Sequence, residues 1–438
     1  MRLHILAEQN KQQIAVVGAG IIGICCALNL QRAGFDVTLY DENGLAQGCS
    51  KGNAGHFATE QIFPLAHPSL LKKLPGMLFN PLGPLRIDWR YIFKALPWFW
   101  LFTKNMRSKT YSANIEALKA LNNRAITAYE HLLNEFNLAH LLTKKGSLLT
   151  FETTSLTHIK KIYNSFIAQG IPVELLSAEE VKLLEPTLSA VITHALLFKD
   201  VAHSVDPYFF CINLAEQFSA LGGKFCQQKI SKIKQSDGGY ILSNNQQTFF
   251  VDKVVVAAGA WSKSLIEPLG YKVPLDTERG YHCMLASNYG LSRPVASAER
   301  NFIMTPMIQG LRIAGTVEFA GTEREMNEKR AFALVPHAKA MLSNSSIPSE
   351  PSSIWMGCRP SLPDSLPVIS EAPYHPNLFF AFGHQHLGLT QGAVTGELIT
   401  SLCLRQDAEI DLTPYSICRF NTQAASNSPY HLRNKHIN

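Results

Sequence analysis

Three glycines near the start of the chain stand where a dinucleotide could rest: Gly18, Gly20 and Gly23, in the run Gly18-Ala19-Gly20-Ile21-Ile22-Gly23. In a GxGxxG turn the first glycine makes a tight bend, the second admits a pyrophosphate to the backbone, and the third lets helix and strand touch. A helix opening there aims its unpaired N–H groups, that of Ile22 among them, and its partial positive charge at two phosphates. Asp41 follows roughly 20 residues on, where a carboxylate accepts hydrogen bonds from ribose hydroxyls. The elements that must position these groups are legible around them. Ile14 to Gly18 is short, apolar and β-branched and predicts a buried parallel strand; Gly20 to Ala33 predicts a helix stopped by Gly34; Val37 to Tyr40 predicts the second strand. Together they make one βαβ unit that binds a dinucleotide, without separating FAD from NAD.

Three downstream stretches make that separation: Cys49 to Gly55 (CSKGNAG), Val254 to Ser262 (VVVAAGAWS) and Gly357 to Asp364 (GCRPSLPD), with Gly383-His384-Gln385-His386-Leu387-Gly388 after an apolar strand at Leu378 to Phe382. In this order and over residues 11 to about 415, the sequence resembles the FAD-dependent D-amino-acid oxidase and dehydrogenase family, which also holds glycine and sarcosine oxidases. Asn53-Ala54-Gly55 and the Gly-His-xxx-Gly-Leu-Thr at 383 to 390 look most like bacterial D-amino-acid and D-hydroxyproline dehydrogenases. The resemblance implies an α/β fold, with a Rossmann-like FAD domain interleaved with an α+β substrate domain on a mostly antiparallel sheet. Expected boundaries are 11–60, 195–262 and 352–415 for the first, 61–194 and 263–351 for the second, and a polar tail at 416–438.

The same resemblance implies that Ser50, Lys51, Gly52 and Asn53 line the phosphate and flavin side of FAD and that Gly259 approaches its adenine half. Gly388, Leu389 and Thr390 would open a helix aimed at the flavin N1–C2 carbonyl, where negative charge collects on reduction. It implies that Arg359 grips the substrate carboxylate, a task for which a planar guanidinium fork is suited. Tyr281, His282 and His384 are further candidates facing substrate or flavin, with His386 sharing the role of His384. The expected reaction passes the Cα hydrogen as hydride to flavin N5 while the nitrogen lone pair forms an imine, which water converts to a 2-oxo acid. It requires no acid–base pair, the amine entering or becoming neutral. FAD is expected to be dissociable, because the position of covalent attachment in sarcosine oxidases aligns with Gly357 and Cys358 is offset from it.

The remaining composition narrows the class. Forty Lys plus Arg against 34 Asp plus Glu gives a formal charge of +6; the scatter of these basic residues gives no expectation of nucleic acid. Nine cysteines without a CxxC pair or zinc-like cluster predict reduced thiols, no metal and a cytoplasmic protein. Residues 1–13 hold no apolar run of signal-peptide length, and Tyr91 to Phe102, with Lys94 and Pro97, falls short of a span. The rings from Met77 to Phe102, with Lys72, Lys73, Arg86, Arg90, Lys94, Lys104 and Arg107, predict either buried core or a patch touching the inner face of a membrane. The resemblance implies as partners a small amino acid and an electron acceptor that is a quinone, a carrier or oxygen. An oligomer is compatible with this. The competing readings are an oxygen-using glycine or sarcosine-type oxidase, the flavin subunit of a multi-subunit amine dehydrogenase, a domain acting on modified tRNA, and an NAD-only dehydrogenase.

Helix signals complete the sequence reading. Asn114 to Phe136 repeats apolar residues every three or four positions and predicts an amphipathic helix covering a second sheet. Ser177 with Glu180 makes a capping box before Pro186, and Asp206-Pro207 opens a helix closed by Gly222-Gly223.

Overall fold

Short β-branched and aromatic runs buried on both faces can only be parallel strands covered by layers above and below. Six strands form such a sheet in the order Val368–Glu371, Leu378–Phe382, Lys253–Val256, Gln13–Val17, Asp36–Tyr40 and Lys224–Cys226, parallel except for the antiparallel first pair. The structure, a computed structural model, describes residues 11–68, 83, 85–244, 246–343 and 346–420. The expectations for residues 1–10, for Lys72, Lys73, Met77, Leu78 and Phe79, and for the tail beyond 420 lie outside the described residues.

Helices Ile21–Arg32, Pro207–Ala220 and Gly388–Cys403 cover one face of this sheet. A three-stranded antiparallel sheet of Lys232–Ser236, Gly239–Ser243 and Thr248–Val251 covers the other, through Ile233, Tyr240 and Leu242. The helix predicted at 114–136 forms as Ser108–Glu135 but does not mainly cover the second sheet. Leu121, Ala128, Tyr129 and Leu132 share a core with Cys25, Leu28 and Val394 of the first unit, and Ile115 joins the core behind the other sheet. Glycine is the reason: a Cβ at Gly392 would stand 2.4 Å from the Tyr129 hydroxyl, and one at Gly396 would stand 2.6 Å from the Cys25 carbonyl oxygen. The Gly388–Cys403 helix therefore lies in close contact with both neighbours.

The second sheet has nine strands and is mostly antiparallel. Its main path runs Ser353–Ser361, Asp276–Leu285, Gly310–Phe319, Phe302–Met307, Val295–Ser297, Ser147–Phe151, His194–Phe198 and Glu174–Ser177, with Leu85–Ile87 joining Gly310–Phe319. Sheet membership cuts the expected spans differently: residues 195–198 of the strand His194–Phe198, and the whole of Ser353–Ser361, expected with the FAD-binding segments, belong to this second sheet. The capping box at Ser177 and the Asp206 cap both form.

Candidate active site

A cavity of about 670 Å³ runs from Asp41 and Glu42 at one end, past Gly18, Gly20 and Ser50, to Arg359, His386 and Glu60 at the other. The glycine turn builds its floor. Gly18 holds φ at +108°, and a Cβ there would meet the Ala257 carbonyl oxygen at 2.4 Å, so strand and turn fit only with glycine. A Cβ at Gly23 would lie 1.7 Å from the Gly18 carbonyl oxygen; this residue supports the turn from behind and does not line the cavity. The Ile21 N–H donates to Ser50 Oγ at 2.8 Å, and the Ala19 N–H donates to Asp41 Oδ2 at 2.9 Å. The next N–H groups of the first turn, at Ile22 and Gly23, have no intrahelical acceptor by helix geometry.

The Gly388–Cys403 helix opens on the same cavity, with Gly388 and Leu389 in its wall. Because Leu378–Phe382 and Gln13–Val17 flank Lys253–Val256 in one parallel sheet, both following helices start at the same edge, where ligands of such sheets bind. A Cβ at Gly388 would come no closer than 3.8 Å to its nearest neighbour, and one at Gly259 would meet nothing within 4 Å. Room is thus left at both for a group other than the chain. These residues fit a flavin dinucleotide, which Asp41 and Gly259 would hold at the nucleoside end and Gly18, Gly20, Ile22 and Ser50 at the phosphates, with Gly52, Asn53, Gly388 and Leu389 lining the cavity beyond them.

Arg359 reaches the cavity from Ser353–Ser361, at the edge of the second sheet, opposite Glu278 in register. Its guanidinium lies over Gly280 of the adjacent strand, 2.4 Å from where a Cβ would stand. Gly280→Ala is therefore expected to push Arg359 aside and raise KM for a carboxylate substrate about tenfold, with flavin content unchanged, as steady-state kinetics and absorbance would record. The neighbouring turn is fixed to this strand: the Gln385 N–H donates to the Pro360 carbonyl at 3.0 Å.

Several expected residues are not brought to the cavity. Lys51 is exposed, donating to Gln47 Oε1 at 3.0 Å with its ammonium 5.4 Å from the Tyr208 ring centre. Tyr281 is buried on the far side, donating from its hydroxyl to Glu318 Oε2 at 2.6 Å, so the pleat turns it away from substrate. His282 stands behind the wall: Nδ1 lies 3.0 Å from the Gly52 carbonyl oxygen and its ring stacks on Trp355. Thr390 acts one step back, its hydroxyl accepting the Ala58 N–H at 2.9 Å. His384 does line the cavity, with Nε2 3.0 Å from Thr395 Oγ1. Burial pushes it down to about 3 and His386 to about 4, so both imidazoles are neutral at pH 7.

Cys49 and Cys358 both border the cavity, but Cys358, next to Arg359 on one strand and opposite Arg279 in register, turns its side chain to the other face. Burial pushes both thiols up, Cys49 to about 12, which leaves them neutral rather than nucleophilic. Sequence reasoning passed over Trp355, His56 and Glu60 altogether. Trp355 lies two residues before Gly357 of the GCRPSLPD motif, whereas His56 and Glu60 carry no signal beyond their nearness to Asn53-Ala54-Gly55.

Residues 13–402 match the family model described as FAD dependent oxidoreductase. The chain is 34% identical over 420 residues to a D-amino-acid oxidase of Bradyrhizobium diazoefficiens, covering 93% of this chain and 99% of that one. It is 28% identical over 427 residues to a D-amino acid dehydrogenase of Rhizobium johnstonii, covering 93% and 100%. Among solved structures, glycine oxidase from Geobacillus kaustophilus superposes with a TM-score of 0.74 at 20% identity, covering 93% and 99%. L-proline dehydrogenase from P. horikoshii superposes with a TM-score of 0.67 at 17% identity, covering 94% and 99%. With the glycine turn, the second helix terminus and the arginine facing one cavity, the chain belongs to the FAD-dependent oxidoreductases of the D-amino-acid oxidase family.

Proposed function

We propose that the protein oxidises the Cα–N bond of a small D-amino acid, or of a D-proline-like imino acid, using dissociable FAD. The observation that carries this is Arg359: a guanidinium without an ion-pair partner among the described residues, in the wall of the cavity onto which two helix N-termini open. Arg359 takes the substrate carboxylate in two parallel hydrogen bonds and so fixes the Cα. Bound FAD supplies the two-electron acceptor. The chain supplies position, a wall that excludes water, and the positive ends of two helices. Neutral His384 and His386 keep added positive charge away from Arg359 and leave its charge to the carboxylate. The testing experiment is anaerobic mixing with D- and L-amino acids, prolines, sarcosine and glycine. Bleaching of the flavin by D-amino acids or D-prolines is expected, and bleaching by none of the panel overturns the proposal.

Electrons then leave to a membrane-bound quinone or carrier, a reading supported by one face of the helix Ile92–Asn105. Trp98 and Phe102 on its inner side are buried against Phe319, whereas Trp89, Phe93, Leu96 and Trp100 are 70%, 80%, 52% and 63% exposed. Phe93, Leu96 and Trp100, three and four residues apart, share one stripe of the helix, and Trp89 lies in the turn just before it. Arg90 stands 5.1 Å from the Trp89 ring and Lys104 stands 5.0 Å from the Trp100 ring, a pairing of rings with cations suited to anionic head groups. Among the described residues no helix is long and apolar enough to cross a bilayer, so contact would be peripheral. Binding to vesicles containing an anionic lipid is expected, weakened by salt. Phe93→Ser with Trp100→Ser should lower it about a hundredfold, at roughly 1.5 kcal/mol per ring withdrawn. The relative named an oxidase supports oxygen as acceptor instead; rapid peroxide formation in air, with no gain on adding a quinone analogue, would decide for it.

A further inference from the structure

Among the described residues three carboxylates line the cavity, and two of them, Asp41 and Glu42, stand at the end proposed for the nucleoside. The third is Glu60. It is 4% exposed, Oε2 has no hydrogen-bond partner, and Oε1 lies 3.5 Å from His56 Nε2, which is also unpartnered. A buried carboxyl left open in this way is costly to a fold and calls for a ligand.

The segment carrying it is held firmly. His56–Phe57 pairs with Ala202–His203, and the Ala58 N–H is bound by Thr390 at the opening of the Gly388–Cys403 helix. Asn122 Nδ2 donates to the Thr59 carbonyl at 3.3 Å and the Gln61 carbonyl at 3.2 Å, and its Oδ1 accepts from Gln391 at 2.9 Å. Glu60 is thus fixed beside the helix end expected to face the flavin.

Resting on the amino-acid reading of this cavity, we propose that Glu60 receives the substrate ammonium and removes one proton from it before the Cα–H bond breaks. Arg359 takes the carboxylate and Glu60 the nitrogen, so the two charges of the amino acid meet two opposite charges in the wall. One N–H bond breaks, one Glu60 O–H bond forms, and the nitrogen keeps the electron pair needed to form the imine. The acid–base step that the sequence reading leaves out is in this way supplied by the chain. A cationic side chain is a poorer occupant, because Leu148, Leu149, Phe166, Phe198 and Phe302 make the adjoining wall apolar.

The groups facing Glu60 leave it tuned for this exchange. His56 on its own segment, His203 across the strand pair and His386 from the turn before Gly388 are each pushed down to about 4, chiefly by burial, and so are neutral at pH 7. Arg359 is the fixed cation, and its charge reaches His386. Burial pushes Glu60 up to about 7, against hydrogen bonds from its own backbone and Gln61.

The test is rapid anaerobic flavin reduction by a D-amino acid across pH, with wild type, Glu60→Gln and Glu60→Asp. In wild type the second-order reduction rate should fall as pH drops through about 7, because the ionised carboxylate is the active form. Glu60→Gln should lose that acid limb, drop about a hundredfold at neutral pH, and recover as pH rises toward the ammonium pKa of the free substrate. That recovery should move with the substrate when amino acids of different ammonium pKa are compared. Glu60→Asp should keep an acid limb. Benzoate, which has a carboxylate and no amine, should perturb the flavin spectrum of Glu60→Gln at concentrations no higher than for wild type, showing an intact Arg359 site. A Glu60→Gln enzyme that keeps the acid limb and a rate within about threefold of wild type overturns this inference alone. A wild-type flavin bleached by no member of the panel would overturn the amino-acid reading itself.

Discussion

Arg359→Leu is expected to abolish measurable bleaching of the flavin by amino acids while leaving FAD bound. The guanidinium lies at the substrate end of the cavity and is held by Gly280 beneath it and the strand around it, without an ion pair among the described residues to satisfy it. Two charge-assisted hydrogen bonds to a carboxylate are worth roughly 1.5 to 3 kcal/mol each. Their loss lowers the second-order rate of flavin reduction by about 10² to 10⁴-fold, and misplacement of Cα adds to this. Anaerobic stopped-flow reduction measures the rate, and the visible spectrum after gel filtration measures retained flavin. Retained turnover at wild-type affinity would show that the carboxylate binds elsewhere, and loss of flavin would show that Arg359 serves the cofactor.

Glu318→Leu is expected to cost about 3 to 5 kcal/mol of folding stability, a large share of the 5 to 15 kcal/mol of an ordinary domain. Glu318 is buried and its Oε2 lies 3.2 Å from Nη1 of Arg279, which is wholly buried, while accepting the Tyr281 hydroxyl. Arg330, equally buried, has its guanidinium 5.7 Å from the Tyr281 ring centre and donates to the Gly83 carbonyl at 2.8 Å. Removing this carboxylate takes the ion-pair partner from the wholly buried Arg279, whose guanidinium then keeps its hydrogen bonds to the Arg324 and Glu325 carbonyls, each 2.7 Å. Urea denaturation should show the loss. Tyr281→Phe, which takes away a single hydrogen bond to the same oxygen, should cost only about 1 to 3 kcal/mol and leave flavin reduction intact. A Tyr281→Phe enzyme with impaired reduction would return this residue to the substrate side.

The sequence by itself determined the parts whose signal is local. A GxGxxG turn needs its strand before it, its helix after it and an acid at a set distance, so Gly18, Gly20, Ile22 and Asp41 were legible from spacing alone. Ser50, Gly52, Asn53, Gly388 and Arg359 became legible from motifs in a recognised order. Caps at Ser177 and Asp206 were readable for the same reason, since each is complete within four residues.

Tertiary structure decided what depends on which face of a strand or helix meets which neighbour. Tyr281 and His282 are adjacent on a strand, and a period of two sends one to Glu318 and the other to Gly52; neither reaches the cavity, because Trp355 of the next strand stands in front of His282. The helix Ser108–Glu135 has an amphipathic stripe that could cover either sheet, and the small surface at Gly392 of a helix far along the chain admits Tyr129 and drew it to the first. On Ile92–Asn105 the rings read in sequence as either core or membrane face; in the fold they divide between core and exposed surface, because a helix turns Trp98 and Trp100 to different sides. Glu60 was invisible for the deepest reason. Its chemistry comes from being buried with one carboxylate oxygen left open, and that is a property of the surrounding fold rather than of the sequence around it.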